Sequence, residues 1–146
     1  MPVVDISKKD VVLREAIAEG YIKLKKSTIE AIKMRNIKKG DPFETAKVSA
    51  ALAVKNTPQI IPYCHPIPIE HIEISFEILE DGIKVLCKVK SISKTGVEME
   101  ALVGVTAALL TIWDMVKYLE KDSEGQYPYT RIEGIKVVKK LTSSLS

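Results

Sequence analysis

Three clusters in this sequence carry residue types and spacings from which chemistry could be built. The first is "IIPYCHPIPI", Ile60 to Ile69, where Cys64 and His65 stand side by side between Pro62 and the pair Pro66 and Pro68. Proline fixes φ, removes a donor and biases the preceding residue toward extended backbone. His65 and Ile67 each precede a proline, so a stiff, straight segment is expected. Neighbours on an extended chain point to opposite faces. Cys64 and His65 are therefore poorly placed to share a metal or to form a nucleophile–base pair. With Cys87 and His71 they also lack zinc-finger spacing. One of the two is expected to face a site and the other the core. Histidine suits a phosphate or a transferring proton, and cysteine suits packing.

The second cluster is Asp114 with Lys117, three residues apart and so able to meet on one helix face. It reads either as a helix-end salt bridge or as an acid–base pair at the edge of a dry interior, where burial would lower the lysine pKa toward neutrality. Glu98 and Glu100 open the same helix, where carboxylates suit the dipole, but two residues apart they point about 200° from one another. The third cluster is "KKGDPFETAK". Lys38 and Lys39 precede a helix N-terminus through Gly40, which makes either an anion site or simply a well-capped helix.

The elements that must position these residues follow from periodicity. Val12 to Leu24 has a rough period of two, which reads as a strand with an irregularity at Gly20, although the good helix formers of "LREAIAEG" leave a helix open there. "STIE", Ser27 to Glu30, reads as a capping box opening a short helix to about Arg35. Asp41 as N-cap, Pro42 at the first helical position and Glu44 open a second helix, which Asn56, Thr57 and Pro58 end. Ile72, Ile74, Phe76 and Ile78 alternate with polar residues as a half-buried strand. Asp81-Gly82 turns it into a partner running from Ile83 to Ile92. A long helix from Val97 to about Lys121 is apolar all round, which predicts burial on most sides. Tyr129 to Lys140 is the last expected strand. The order β-α-α-β-β-α-β predicts an α+β, ferredoxin-like fold, an antiparallel sheet with helices packed on one face. Residues 1–146 are expected to form one domain, with 141–146 a disordered tail.

Composition narrows the function class. With 46% hydrophobic and 28% charged residues the chain is of ordinary globular type. The N-terminus lacks the apolar core of a secretory signal, and the uncharged run Ala101 to Trp113 falls short of the ~20 residues that a bilayer needs. A cytoplasmic protein with two reduced thiols is expected. The net charge of +3 hides clustering at Lys23, Lys25 and Lys26, at Lys33, Arg35, Lys38 and Lys39, and at Lys136, Lys139 and Lys140. Such patches are either solvated surface or face an anionic partner. Single-stranded nucleic acid would call for aromatic residues on the sheet. Two Phe and one Trp, with Glu and Lys on the wet strand faces, argue against it.

The segments "VVDIS", "LREAIAEG", "KKGDPFETAKVSAALAVKNTPQIIPYCHPIPI", "SKTGVEMEALVGVTAALLTIWDMVK" and "EKD" together resemble the molybdenum cofactor biosynthesis protein C family, the cyclic pyranopterin monophosphate synthases. The likeness runs from about Val4 to Asp122. It implies conversion of 3′,8-cyclo-7,8-dihydro-GTP to cyclic pyranopterin monophosphate with release of pyrophosphate. By the same resemblance Asp114 is the active-site carboxylate, and Lys117 and Lys39 are the candidate general acids or bases. Tyr63, Cys64 and His65 match one substrate-binding segment, Met99 and Glu100 another with Glu98 beside them, and Arg14 a basic position near the phosphates. A homohexamer built as a trimer of dimers is implied, with sites at subunit interfaces. The small-molecule substrate is its implied partner, with no nucleic acid, no membrane and no essential cofactor or metal. The resemblance departs at the C-terminus, where "YPYTRIEGIKVVKKLTSS" replaces a Gly/Ser/Lys-rich segment, and at Tyr63, where leucine is usual. A non-catalytic, scaffolding member is the alternative.

Overall fold

A computed structural model of the protein describes residues 3–145. Eight elements follow one another: β1 (Val12–Lys23), α1 (Lys26–Lys33), α2 (Pro42–Lys55), α3 (Thr57–Ile60), β2 (His71–Leu79), β3 (Gly82–Ser93), α4 (Glu98–Glu120) and β4 (Arg131–Ser143). The strands form one antiparallel sheet in the order β2-β3-β1-β4, the expected ferredoxin-like arrangement. The even-numbered residues of β1, Ala16, Ala18 and Ile22, pack with Val85, Cys87 and Val89 of β3 under Val105, Leu109 and Ile112 of α4. The opposite face is a lattice of charge. Glu15 Oε1 lies 3.0 Å from Lys88 Nζ, and Glu19 Oε1 lies 3.8 Å from Lys84 Nζ. Alternation along the strands thus dictates both layers.

The irregularity expected at Gly20 is present. The β1–β4 register shifts between Glu19 and Tyr21, opposite Gly134 in the left-handed region at φ 67°. Asp41 caps α2 as predicted, its Oδ1 accepting from the N–H groups of Phe43 (2.9 Å) and Glu44 (3.4 Å).

Four local expectations change. Ser27 does not cap α1, which begins a residue earlier. No side chain caps its first turn; instead the buried carboxylate of Glu120, at the end of α4, braces the entry to α1. It accepts from the Lys25 N–H at 3.1 Å, from the Thr28 hydroxyl and from the Thr130 hydroxyl at 2.6 Å. A distant acid satisfying three donors outcompetes a local serine, which sequence spacing cannot register. Asn56 does end α2, but the chain continues at once as the short turn α3. The expected tail is shorter than 141–146, because Leu141, Thr142 and Ser143 pair with Glu15, Arg14 and Leu13 of β1. β1 is long enough to give these residues ladder partners; Ser146 lies outside the described residues.

The fourth change concerns α4. By length and composition it could cross a bilayer, yet only half of its most apolar 18-residue window is buried in the fold. The other half is open. Leu110 is 56% exposed, and on α2, which packs against α4, Val48 and Leu52 are 61% and 58% exposed. All-round apolarity therefore does not mean that this chain alone buries every side.

Candidate active site

The predicted residues gather at the two ends of α4. At its C-terminal end Asp114 projects into solvent between two lysines. Lys117 Nζ donates to Oδ1 at 2.9 Å, and Lys39 Nζ reaches Oδ2 at 3.1 Å and the Asp114 carbonyl oxygen at 3.2 Å. The i, i+3 spacing on α4 brings Lys117 round to the carboxylate. Lys39 comes from the turn between α1 and α2, closed by the Gly40 N–H on the Ile37 carbonyl at 3.1 Å. The bonds from Lys117 and then Lys39 hold the Asp114 carboxyl below its ordinary range. Its bond to that carboxylate in turn holds Lys117 above the usual lysine value.

Within the single chain the pair is an exposed salt bridge, the first of the two readings. Asp114 and Lys117 are 57% and 41% exposed in their side chains, and the bond and charge of Asp114 outweigh the small pull of burial on the amine. Lys117 is a firm ammonium at neutral pH, a proton donor rather than a ready base.

At the N-terminal end of α4 lies a cleft of about 450 Å³. Its lining includes Tyr63, Cys64, His65, Glu98 and Met99, together with Val4, Ile6 and Lys9 from the N-terminal segment. The proline-rich stretch is not straight throughout. It turns at Ile61–Cys64, where the Cys64 N–H bonds the Ile61 carbonyl at 3.1 Å, and enters β2 only at His71. Pro62 sits within that turn, so its restriction of φ serves a bend rather than an extended run. Cys64 and His65 take different partners, but both line the cleft, so neither is the core residue expected of one of them. The Cys64 thiol donates to Glu100 Oε2 at 3.6 Å, toward the protein, while His65 Nε2–H donates to the Val4 carbonyl at 2.7 Å.

Glu98 and Glu100 diverge in environment as in direction. Glu100 is 2% exposed, and its Oε1 has no hydrogen-bond partner among the described residues. Burial pushes its carboxyl above the usual range. Burial, then the neighbouring Glu100, also pushes the Cys64 thiol up to about 11, so Cys64 is no thiolate nucleophile at neutral pH. Glu98 faces outward to Lys140 Nζ at 2.5 Å. Burial opposes its charge, but Lys140 and the nearby Arg14 hold the carboxyl below its ordinary range. Arg14 is tied to the β3–α4 connection through the carbonyls of Ser93 (3.4 Å) and Lys94 (3.3 Å).

Lys140 is the residue that the sequence left without a role. Its only sequence signal was membership of the basic run near the C-terminus, and the β1–β4 pairing of Lys140 with Ala16 carries it to the α4 N-terminus. Lys9 and Val4 enter the cleft in the same unannounced way. No groups of histidine, cysteine and carboxylate able to hold a metal ion occur among the described residues.

The two ends are far apart. Fifteen residues separate Met99 from Asp114, about 22 Å along a helix rising 1.5 Å per residue. Within one chain they cannot both grip the same reacting ring.

Comparison with known proteins covers the whole span that holds these positions. The MoaC family model matches residues 3–142. A Sulfolobus acidocaldarius protein is 60% identical over 140 residues, covering 96% of this chain and 98% of its own length. One from Sulfurisphaera tokodaii is 57% identical over 139 residues, with 95% and 92% covered. A Pyrococcus horikoshii protein is 58% identical over 138 residues, with 94% and 87% covered. Each of the three is named a probable cyclic pyranopterin monophosphate synthase. A family match reaching from the N-terminal segment to the last strand, with relatives more than half identical over the same span, decides the matter: the chain belongs to the MoaC family.

Proposed function

We propose that this protein is a cyclic pyranopterin monophosphate synthase of molybdenum cofactor biosynthesis. It converts 3′,8-cyclo-7,8-dihydro-GTP to cyclic pyranopterin monophosphate and pyrophosphate. The observation that carries the reading is the Lys39–Asp114–Lys117 cluster, two ammonium groups held on one carboxylate within 3.1 Å. The reaction opens one ring, closes another, forms a phosphodiester at the α-phosphorus and breaks the bond from it to the β-phosphate. It needs proton transfers and a stabilised pyrophosphate leaving group, and each positioned acid–base group contributes about 10²–10⁴-fold. Lys117, held protonated, delivers a proton, with Asp114 keeping its ammonium in place. Lys39 works from the facing turn.

At the other end of α4, His65, Cys64, Tyr63, Met99 and Glu100 receive the ring system, while Arg14 serves the phosphates and Glu98, beside the ring-binding residues, holds Lys140. The separation of the two ends supports sites completed by a second copy. The exposed apolar face of Val48, Leu52 and Leu110 supports burial between copies, in a homohexamer formed as a trimer of dimers. The free thiols of Cys64 and Cys87 fit a reducing cytoplasm.

The test is incubation with the cyclised GTP intermediate, following pyrophosphate and pterin product for wild type, Lys39→Ala and Lys117→Ala. Wild type turns over, and each variant loses at least about a hundredfold while keeping its fold by circular dichroism. A folded wild type without product would leave a scaffolding member of the family. A variant with near-normal turnover would remove its lysine from the chemistry.

A further inference from the structure

Lys39 is half exposed on a surface turn, yet its ammonium reaches two oxygens of one residue across 75 positions of sequence. Something must hold that turn. Its closing bond uses the Gly40 N–H and the Ile37 carbonyl, which leaves the N–H of the second residue, Lys38, pointing away from the turn. The Tyr118 hydroxyl oxygen accepts that N–H at 2.9 Å. The Lys38 ammonium in turn lies 5.1 Å from the centroid of the Tyr118 ring. Tyr118 stands on α4 four residues after Asp114, on the same face of the helix. One helix face therefore presents both the carboxylate that Lys39 meets and the phenol that anchors the turn carrying it. Ile37, 9% exposed, fixes the turn from the core side.

We infer that Tyr118 is a positioning residue for Lys39, clamping the Ile37–Gly40 turn to α4 so that the lysine stays on Asp114. This rests on the proposed role of Lys39 for its catalytic consequence but not for its geometry. Without the clamp the turn would have to be ordered anew at each encounter with substrate, and small misplacements of a reacting group are costly in rate.

The experiment is Tyr118→Phe, which keeps the ring and deletes the acceptor. Site-resolved acetylation of lysines with limiting acetic anhydride, read by mass spectrometry, reports how firmly each amine is held. The inference predicts Lys39 labelling faster by about three- to tenfold, the equilibrium worth of one such bond, with Lys117 unchanged. It also predicts a lower kcat in Tyr118→Phe that disappears when the change is made on a Lys39→Ala background. Unchanged Lys39 labelling overturns the clamp. So does a rise shared by Lys117 together with a lowered Tm, which would mean general loosening. Wild-type turnover in Lys39→Ala with faster Lys39 labelling in Tyr118→Phe would instead refute the catalytic role of Lys39 and leave the clamp standing.

Discussion

Glu100 shows how one buried atom can govern its neighbours. Its carboxyl has one oxygen on the Cys64 thiol and the other without a partner among the described residues, and burial favours its neutral form. An acid whose pKa is raised in the folded state binds more protons there than in the unfolded chain. Stability therefore falls as pH rises from the ordinary glutamate value to the folded one, by at most about 1.4 kcal/mol per pH unit, and is flat beyond. Glu100→Gln removes that dependence. Thermal unfolding across this window should show wild-type stability falling relative to that of the variant as pH rises, and a parallel pair of curves would exclude the neutral carboxyl. The same substitution relieves Cys64, whose pKa Glu100 helps to push up to about 11. Alkylation of Cys64 by iodoacetamide at pH 8 should accordingly be faster in Glu100→Gln. At this scale the sequence was a partial guide. It identified Asp114 with Lys117 by spacing, but exposure reverses the expected direction of the lysine pKa, because spacing along a helix says nothing of which way its face looks.

Among the elements, α4 is the one whose placement everything else depends on, and Gly104 sets how closely it lies. A Cβ built there would sit 2.7 Å from Cys87 Sγ on β3 and 2.8 Å from a Val54 methyl on α2. Alanine gains about 1 kcal/mol of helix propensity over glycine, whereas overpacking a tight core costs about 1–3 kcal/mol. Both obstructing atoms belong to buried, short side chains with little freedom to swing away, so the second effect wins. Gly104→Ala should lower stability by up to about 2 kcal/mol in denaturant unfolding, and adding Cys87→Ala should relieve part of the clash, leaving that with Val54. A Gly104→Ala protein more stable than wild type would show that α4 can lift off the sheet without penalty. Helix and strand types were legible because their periods are strong and their stops are marked, as at Asp41-Pro42 and Asp81-Gly82. The start of α1 and the end of β4 were not, since a long-range carboxylate in one case and a long partner strand in the other decide them.

For the whole molecule, the separation of the two ends of α4 by about 22 Å is the fact to be explained. If each site takes Lys39, Asp114 and Lys117 from one copy and His65 and Glu100 from its partner, then inactive variants of opposite ends must complement. A dimer of Lys117→Ala with His65→Ala carries one site with both defects and one with neither. Two-fold symmetry makes the second site wild type. Random reassortment of equal amounts puts half of the chains in mixed dimers, each with half of its sites intact, so roughly a quarter of wild-type activity should return from two nearly inactive proteins. Co-expression with two affinity tags isolates the mixed species, in which recovery should approach half. Two variants of the same end, Lys39→Ala with Lys117→Ala, should give no recovery, because every mixed dimer then has one defect in each site. Recovery from the same-end pair, or none from the opposite-end pair after mixing is verified, would mean that the sites are not divided in this way. The hydrophobic face of Val48, Leu52 and Leu110 would then need another occupant.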